Sequence, residues 1–298
     1  MEIRGFVAER RVSVEEIHRL WFEYSSFKPD SLGFVVDNSR VYGLGYARVV
    51  YGHTGYLWLC IDYTLPVSHQ KQALYILLSW ARHKLLRKRV FIVKISCGYE
   101  YSRLYNLVAS LIGTCTSVVD YTLMEYSVLE QKTLYHRVGD SKITIRRGGY
   151  RDIPGVVNVY NEAFKRYNWF TEWSVDDAYK WYSSRDIQLY IAVDKNSGEI
   201  IGFIDGEKRI GFDGRVYGYV YTLAVHPSRQ GQGIGGKLLR YFLDVLSRDG
   251  VREVYLDAIA GLEDYYVRHG FRIKRRYRLL VVPVAYLPRY TPCIIEYM

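Results

Sequence analysis

Residues 221–239 read YTLAVHPSRQGQGIGGKLL, and the fold follows from how this stretch changes character along its length. Its first five residues are aromatic, β-branched or aliphatic, the composition of a strand. Pro227 ends that pattern. Four glycines follow at 231, 233, 235 and 236. The chain then enters GKLLRYFLDVLSRDG (236–250), where Leu238, Leu239, Phe242, Val245 and Leu246 form one apolar stripe at helical spacing and Gly250 suits a C-cap. A strand, a glycine turn and a helix N-terminus in succession make a place for a diphosphate. Glycines allow positive φ and close backbone approach, and the unpaired N–H groups of the first helical turn converge on one spot with the helix dipole behind them.

Working outward, KITIRR (142–147) alternates as a strand, and Asp152-Ile153-Pro154 opens a helix carrying Val156, Val157, Val159 and Phe164. Ser174 with Asp177 three residues later resembles a capping box for a helix over 175–183. IQLYIAVD (187–194), KNSGE and IIGFIDGEKRI (200–210) form a hairpin, and FDG (212–214) returns the chain into a third strand at 215–225. A strand at 251–259, a short helix at 262–270 ended by Gly270 and a strand at 271–282 complete the order β-α-α-β-β-β-α-β-α-β.

The first half repeats this layout in reduced form. Ser13 with Glu16 starts a helix through Trp21, strands lie in 32–37, 40–52 and 55–65, and a helix at 70–87, a strand at 90–96 and a helix at 101–111 follow. Sliding the chain by 160 residues lays QKQALY (70–75) on QGQGIG (230–235), so Ala73 and Tyr75 face Gly233 and Gly235. The expected division is a degenerate domain over 1–130, a linker over 131–140 and a catalytic domain over 141–298.

The stretch 221–239 resembles motif A of the GNAT superfamily of acyl-CoA N-acyltransferases, whose pattern is Gln or Arg, two residues, Gly, one residue, Gly or Ala. Gln230, Gly233 and Gly235 match it. The resemblance spans about 143–282 and implies an α/β (α+β) fold of two GNAT-like domains, each a mixed, mostly antiparallel sheet flanked by helices. It implies acetyl-CoA as donor, its pyrophosphate held by Gln230, Gly231, Gln232, Gly233, Ile234, Gly235 and Gly236. Leu223, Ala224 and Val225 would meet the pantetheine arm through their backbones. YYVRHGF (265–271) resembles the family's Tyr-x-x-x-Gly-Phe and makes Tyr266 the general acid for the departing thiolate. Tyr219 and Tyr221 stand where many members carry Glu or His, and with Trp169 and Phe170 they are expected to meet the acceptor. The base stays open between water, Asp257, Glu263 and no dedicated residue.

Composition narrows the alternatives. Hydrophobic residues at 49% and charged residues at 24% belong to an ordinary globular protein. No segment has the length and apolarity of a membrane span, which leads to an expectation of a cytoplasmic protein, monomeric or homodimeric. Cys60, Cys97, Cys115 and Cys293 lack a paired spacing, so neither a metal site nor a redox motif is expected. The net charge of +10 suits a phosphorylated ligand. KLLRKR (84–89) and the strand face Arg272, Lys274, Arg276, Arg278 raise a nucleic-acid reading, in which binding would be salt-sensitive and sequence-independent; nucleic acid is not the partner expected here. A different class remains open: an acyl-CoA-binding protein without turnover.

Overall fold

A computed structural model of the chain describes residues 6–7, 31–37, 40–50, 54–62, 64–96, 101–113, 117–128, 142–167, 170–183, 186–210 and 215–289. The expected linker at 131–140, the helix after Ser13 and the turn at 212–214 lie outside them. The chain divides into two compact units, one of residues 1–120 with 277–298 and the other of residues 121–276.

Unit 1 holds β1 (Phe6–Val7), β2 (Ser31–Asp37), β3 (Arg40–Val50), β4 (Thr54–Ile61), α1 (Val67–Arg87), β5 (Ile92–Ser96) and α2 (Tyr101–Ile112). Strands β1 to β4 pair antiparallel in sequence order, and β5 joins β4 in parallel. Helix α1 packs Leu74, Leu77, Leu78, Trp80 and Leu85 against Leu57, Leu59, Val93 and Ile95. Gly33 and Gly45 leave room for Trp80, which lies 2.7 Å and 3.2 Å from where their Cβ atoms would stand. No bulky residue fits there.

Unit 2 holds β7 (Ile143–Arg147), α3 (Ile153–Phe164), α4 (Val175–Ser183), β8 (Gln188–Asp194), β9 (Ile200–Ile210), β10 (Val216–Val225), α5 (Ile234–Arg248), β11 (Glu253–Ile259) and α6 (Glu263–Val267), in the order expected. Helix α4 starts where the capping pair placed it, with the Asp177 N–H donating to Ser174 Oγ at 3.1 Å. Helix α5 buries Ile234, Leu238, Leu239, Phe242, Leu243 and Leu246 against Ile204, Val220, Val254 and Leu256. Each such side chain contributes about 1.5–3 kcal/mol, which fixes the helix and the direction of its N-terminus.

Strand pairing crosses the two halves of the sequence. Strand β6 (Ser117–Ser127), absent from the sequence reading, pairs antiparallel with β11 from Tyr121↔Ile259 to Ser127↔Glu253. The end of β12 (Arg272–Pro283) pairs instead with β5, from Leu279↔Ser96 to Pro283↔Ile92. Each unit therefore finishes its sheet with a strand from the other half of the sequence. The cores record this: Met124 and Tyr126 belong to the core of unit 2, and Leu280, Val282, Val284 and Leu287 to that of unit 1.

A correction concerns register within the repeat. Helix α1 begins at Val67 after Pro66, so Ala73 and Tyr75 lie inside it and not at the turn that precedes α5's first residues. Ala73 is fully buried and the Tyr75 hydroxyl donates to the Arg289 carbonyl at 3.2 Å. The turn before α1 has no glycine; it is closed by Asp62, which accepts from the Thr64 N–H at 3.0 Å and the Thr64 hydroxyl at 2.6 Å.

Candidate active site

The cleft of unit 2 begins where two strands part. β10 pairs with β9 from Val216↔Ile210 to Val225↔Gly202, with its register broken between Val220 and Thr222. It pairs with β11 in parallel over Gly218–Val220 only. Tyr221 is thus a bulge residue, and beyond it Leu223, Ala224 and Val225 line an opening of about 430 Å³.

At the mouth of this opening the backbone turns left-handed twice, at Gly231 (φ 77°) and Gly233 (φ 75°). Gly233 is the N-cap of α5, and the bond from the Lys237 N–H to the Gly233 carbonyl, 3.1 Å, is the first of the helix. The N–H groups of Ile234, Gly235 and Gly236 have no intrahelical acceptor. No acidic side chain occupies this first turn. A Cβ added at Gly231 or Gly233 would meet nothing within 4 Å, so the space before the turn is open. The Gln230 side-chain amide donates to the Val225 carbonyl at 3.0 Å and ties the turn to the end of β10.

Helix α6 closes the other side. Tyr265 and Tyr266 both line the cleft, their rings edge to face at 5.1 Å. Tyr266 packs on Phe271 at 5.8 Å, and among the described residues its hydroxyl makes no hydrogen bond. Burial, with smaller contributions from Tyr265 and Tyr167, raises its pKa above the ordinary phenol value. It stays protonated at neutral pH, as an acid must. The Tyr265 hydroxyl is buried without a hydrogen-bond partner among the described residues and lies 2.8 Å from where a Cβ on Gly235 would stand. Phe164, Arg166 and Tyr167, at the end of α3, complete the wall.

Behind this cleft, the sheet face under α3 and α4 carries a buried polar layer. The Tyr221 hydroxyl donates to Glu207 Oε1 at 2.6 Å and accepts from Arg209 Nη2 at 2.5 Å, while Arg209 Nε donates to the same carboxylate oxygen at 2.6 Å. The Arg209 guanidinium also lies 4.2 Å from the Tyr219 ring centre. Burial opposes its charge, but Tyr221 and Glu207 outweigh that and hold its pKa above the usual value. The Tyr219 hydroxyl donates to Asp257. Each of the two tyrosines expected on this face thus has a carboxylate behind it.

With this geometry in view, comparison with known proteins decides the family. The profile of the acetyltransferase (GNAT) family matches residues 154–271. An uncharacterised N-acetyltransferase of Archaeoglobus fulgidus is 31% identical over 105 residues, which are 34% of this chain and 71% of that protein. The chain belongs to the GNAT family. An L-methionine sulfoximine/L-methionine sulfone acetyltransferase of Salmonella typhimurium is 28% identical over 127 residues, 41% of this chain and 71% of that protein. A GCN5-related N-acetyltransferase from Sphaerobacter thermophilus has the same fold throughout, at a TM-score of 0.67 and 17% identity over 99% of this chain and 100% of its own. A tandem GNAT protein from the clavulanic acid biosynthesis pathway superimposes with a TM-score of 0.58 at 14% identity, covering 87% of this chain and 85% of its own. This GNAT protein is an acyltransferase.

Of the GNAT residues singled out in the sequence, Leu223, Ala224, Val225, Gln230, Gly231, Gly233, Ile234, Gly235, Gly236 and Tyr266 all line one cleft. Gln232 is exposed and Phe170 packs near Tyr160, and neither is part of that lining. Trp169 lies outside the described residues. Tyr219 is buried at 8% exposure, behind the cleft wall. Glu263 accepts from Thr122 and from the Gly261 N–H, at 2.8 Å and 2.6 Å, and so shapes a turn. The sequence reading missed Asp205, Glu207 and Arg209. Their signal was an alternation of charged residues in IDGEKRI, which puts all three on one face of a strand.

No helix among the described residues is long and apolar enough to cross a membrane, and among them no cluster of His, Cys, Asp or Glu could hold a metal. Two residues of the basic face of β12 are ion-paired, Lys274 with Glu125 at 3.0 Å and Arg278 with Asp120 at 2.6 Å.

Proposed function

We propose that unit 2 is an N-acetyltransferase that moves an acetyl group directly from acetyl-CoA to a primary amine. One observation carries this reading: the open left-handed turn with its unpaired N–H groups, the splayed end of β10 and the Tyr266 hydroxyl converge on one cleft. Bound there, acetyl-CoA would supply a thioester carbonyl and a thiolate leaving group. The backbone of 231–236 has the shape and polarity to receive its pyrophosphate, and Leu223 to Val225 offer a strand edge to the pantetheine amides. Tyr266, kept protonated by burial, donates its hydroxyl proton to the departing sulfur.

The attacking nitrogen must be uncharged. Tyr221, hydrogen-bonded to Glu207, gives the amine's proton a path to a carboxylate. Relatives include the methionine sulfone acetyltransferase and an L-amino acid N-acyltransferase of Escherichia coli, 27% identical over 125 residues. L-Amino acids and L-methionine sulfone are therefore the first acceptors to try. Incubation with acetyl-CoA and this panel, followed by CoA thiol release and product mass, should show a product heavier by one acetyl group. Binding of CoA without any acetylated product would replace this reading with a CoA-binding protein that has no turnover.

A further inference from the structure

Asp205 has 0% exposure and lies on the face of β9 that looks toward α3 and α4. The Tyr182 hydroxyl of α4 donates to its Oδ2 at 2.9 Å. Its cross-strand partner is Thr222, the residue at which the β9–β10 register resumes after the bulge. Among the described residues its Oδ1 is buried with no partner at hydrogen-bond length, although Thr222 and Trp181 turn polar groups toward the carboxyl. Tyr160 of α3 is close enough that the Asp205 charge adds to burial in raising the Tyr160 phenol above its usual value. Glu207 and Arg209 follow at alternate positions on the same strand face, Tyr219 and Tyr221 flank it on β10, and its other cross-strand neighbour, Leu189 of β8, is apolar.

A fully buried, incompletely satisfied carboxylate destabilises a fold, and an apolar residue of similar size would be cheaper. Its partners explain its presence. Its carboxylate accepts from Tyr182 of α4 and its strand position faces Thr222, where β10 resumes its register after the Tyr221 bulge; beyond that bulge β10 no longer pairs with β11. We propose that Asp205 is a positioning residue for acyl transfer, its ionised carboxylate tying Tyr182 to the Tyr221–Thr222 bulge and so holding the acceptor side of the cleft in register with the splayed strand. This rests on reading unit 2 as an amine acetyltransferase.

Burial lifts the Asp205 carboxyl to about 6, against the opposing pull of Tyr182, Thr222 and Trp181. Below that pH the group is neutral, must donate its own proton and can no longer accept from every neighbour. The tie loosens as it protonates.

The test compares the full chain with Asp205→Asn and Tyr182→Phe, using acetyl-CoA and the fastest acceptor among the L-amino acids and L-methionine sulfone. Wild-type kcat should fall as pH drops through about 6, whereas Asp205→Asn should lose that limb and run about tenfold slower at pH 8, with KM for acetyl-CoA within about twofold. Tyr182→Phe should slow turnover while keeping the limb. Because removing a buried charge relieves strain on the fold, the thermal midpoint of Asp205→Asn at pH 8 should be at or above that of the wild type. A variant with wild-type rate and pH limb, or one slowed only in step with a lowered thermal midpoint, overturns the proposal. If the wild type acetylates no acceptor, the acetyltransferase reading fails by itself. Tryptophan fluorescence then decides about Asp205: a titration near pH 6 that Asp205→Asn abolishes supports the tie, and the same titration in both proteins overturns it.

Discussion

Removing one oxygen from Tyr266 separates a proton donor from a packing ring. Tyr266→Phe keeps the contacts with Tyr265 and Phe271, so CoA affinity measured by calorimetry should stay near wild type. If the hydroxyl protonates the thiolate, kcat should drop about 100-fold, the usual scale for a positioned acid. Because its pKa is raised, loss of that proton should not limit the rate at any pH below about 10, the ordinary phenol value. An alkaline limb at pH 8 that vanishes in the variant would contradict this. The place of Tyr266 in the cleft was legible in the sequence because Gly270 and Phe271 lie close to it in a local motif. Glu207 and Asp205 were harder to see, since their meaning comes from Tyr221, Thr222 and Tyr182, which only the folded sheet and α4 bring to them.

The glycine turn and α5 act as one element. At Gly233 a side chain would have space, with nothing within 4 Å, but φ is 75° and a Cβ there costs about 1–2 kcal/mol. Gly233→Val should therefore weaken CoA binding by about tenfold or more, by turning the N–H groups and filling the mouth, with that same loss of about 1–2 kcal/mol in stability. Unchanged affinity in a variant with a cooperative melt would remove the turn from the cofactor site. Elements whose signals are local read well from sequence: α4 runs from Val175 to Ser183 because Ser174 and Asp177 cap it and the sheet needs Trp181 buried. Strand β6 did not, because its alternation carries no information about which sheet it joins, and its partner β11 lies more than a hundred residues further along.

For the molecule as a whole, the count of bound cofactor and the integrity of the chain are linked. Unit 1 has the helix that corresponds to α5, but it starts at Pro66 without a glycine, and the turn before it holds the buried carboxylate of Asp62. A phosphate approaching the start of this helix would meet that charge. Titration calorimetry should give one CoA per chain; two would restore a working turn to unit 1. A protein truncated to 141–298 would leave the β11 edge without β6, so it should melt without a cooperative transition, and addition of the separately made 1–140 segment should recover one. A stable, CoA-binding 141–298 fragment would show that the covering strand is dispensable.

The swap of β6 and the end of β12 also reaches into inheritance. If the two halves arose by copying one ancestral unit, either copy would ordinarily be free to decay or be lost so long as the other kept the chemistry. Here an in-frame deletion of residues 117–127 removes a strand from the sheet of unit 2, and a premature stop after Arg276 removes one from the sheet of unit 1. Selection on either unit therefore protects part of the other half of the sequence, and a recombination breakpoint between the halves cuts through both folds at once.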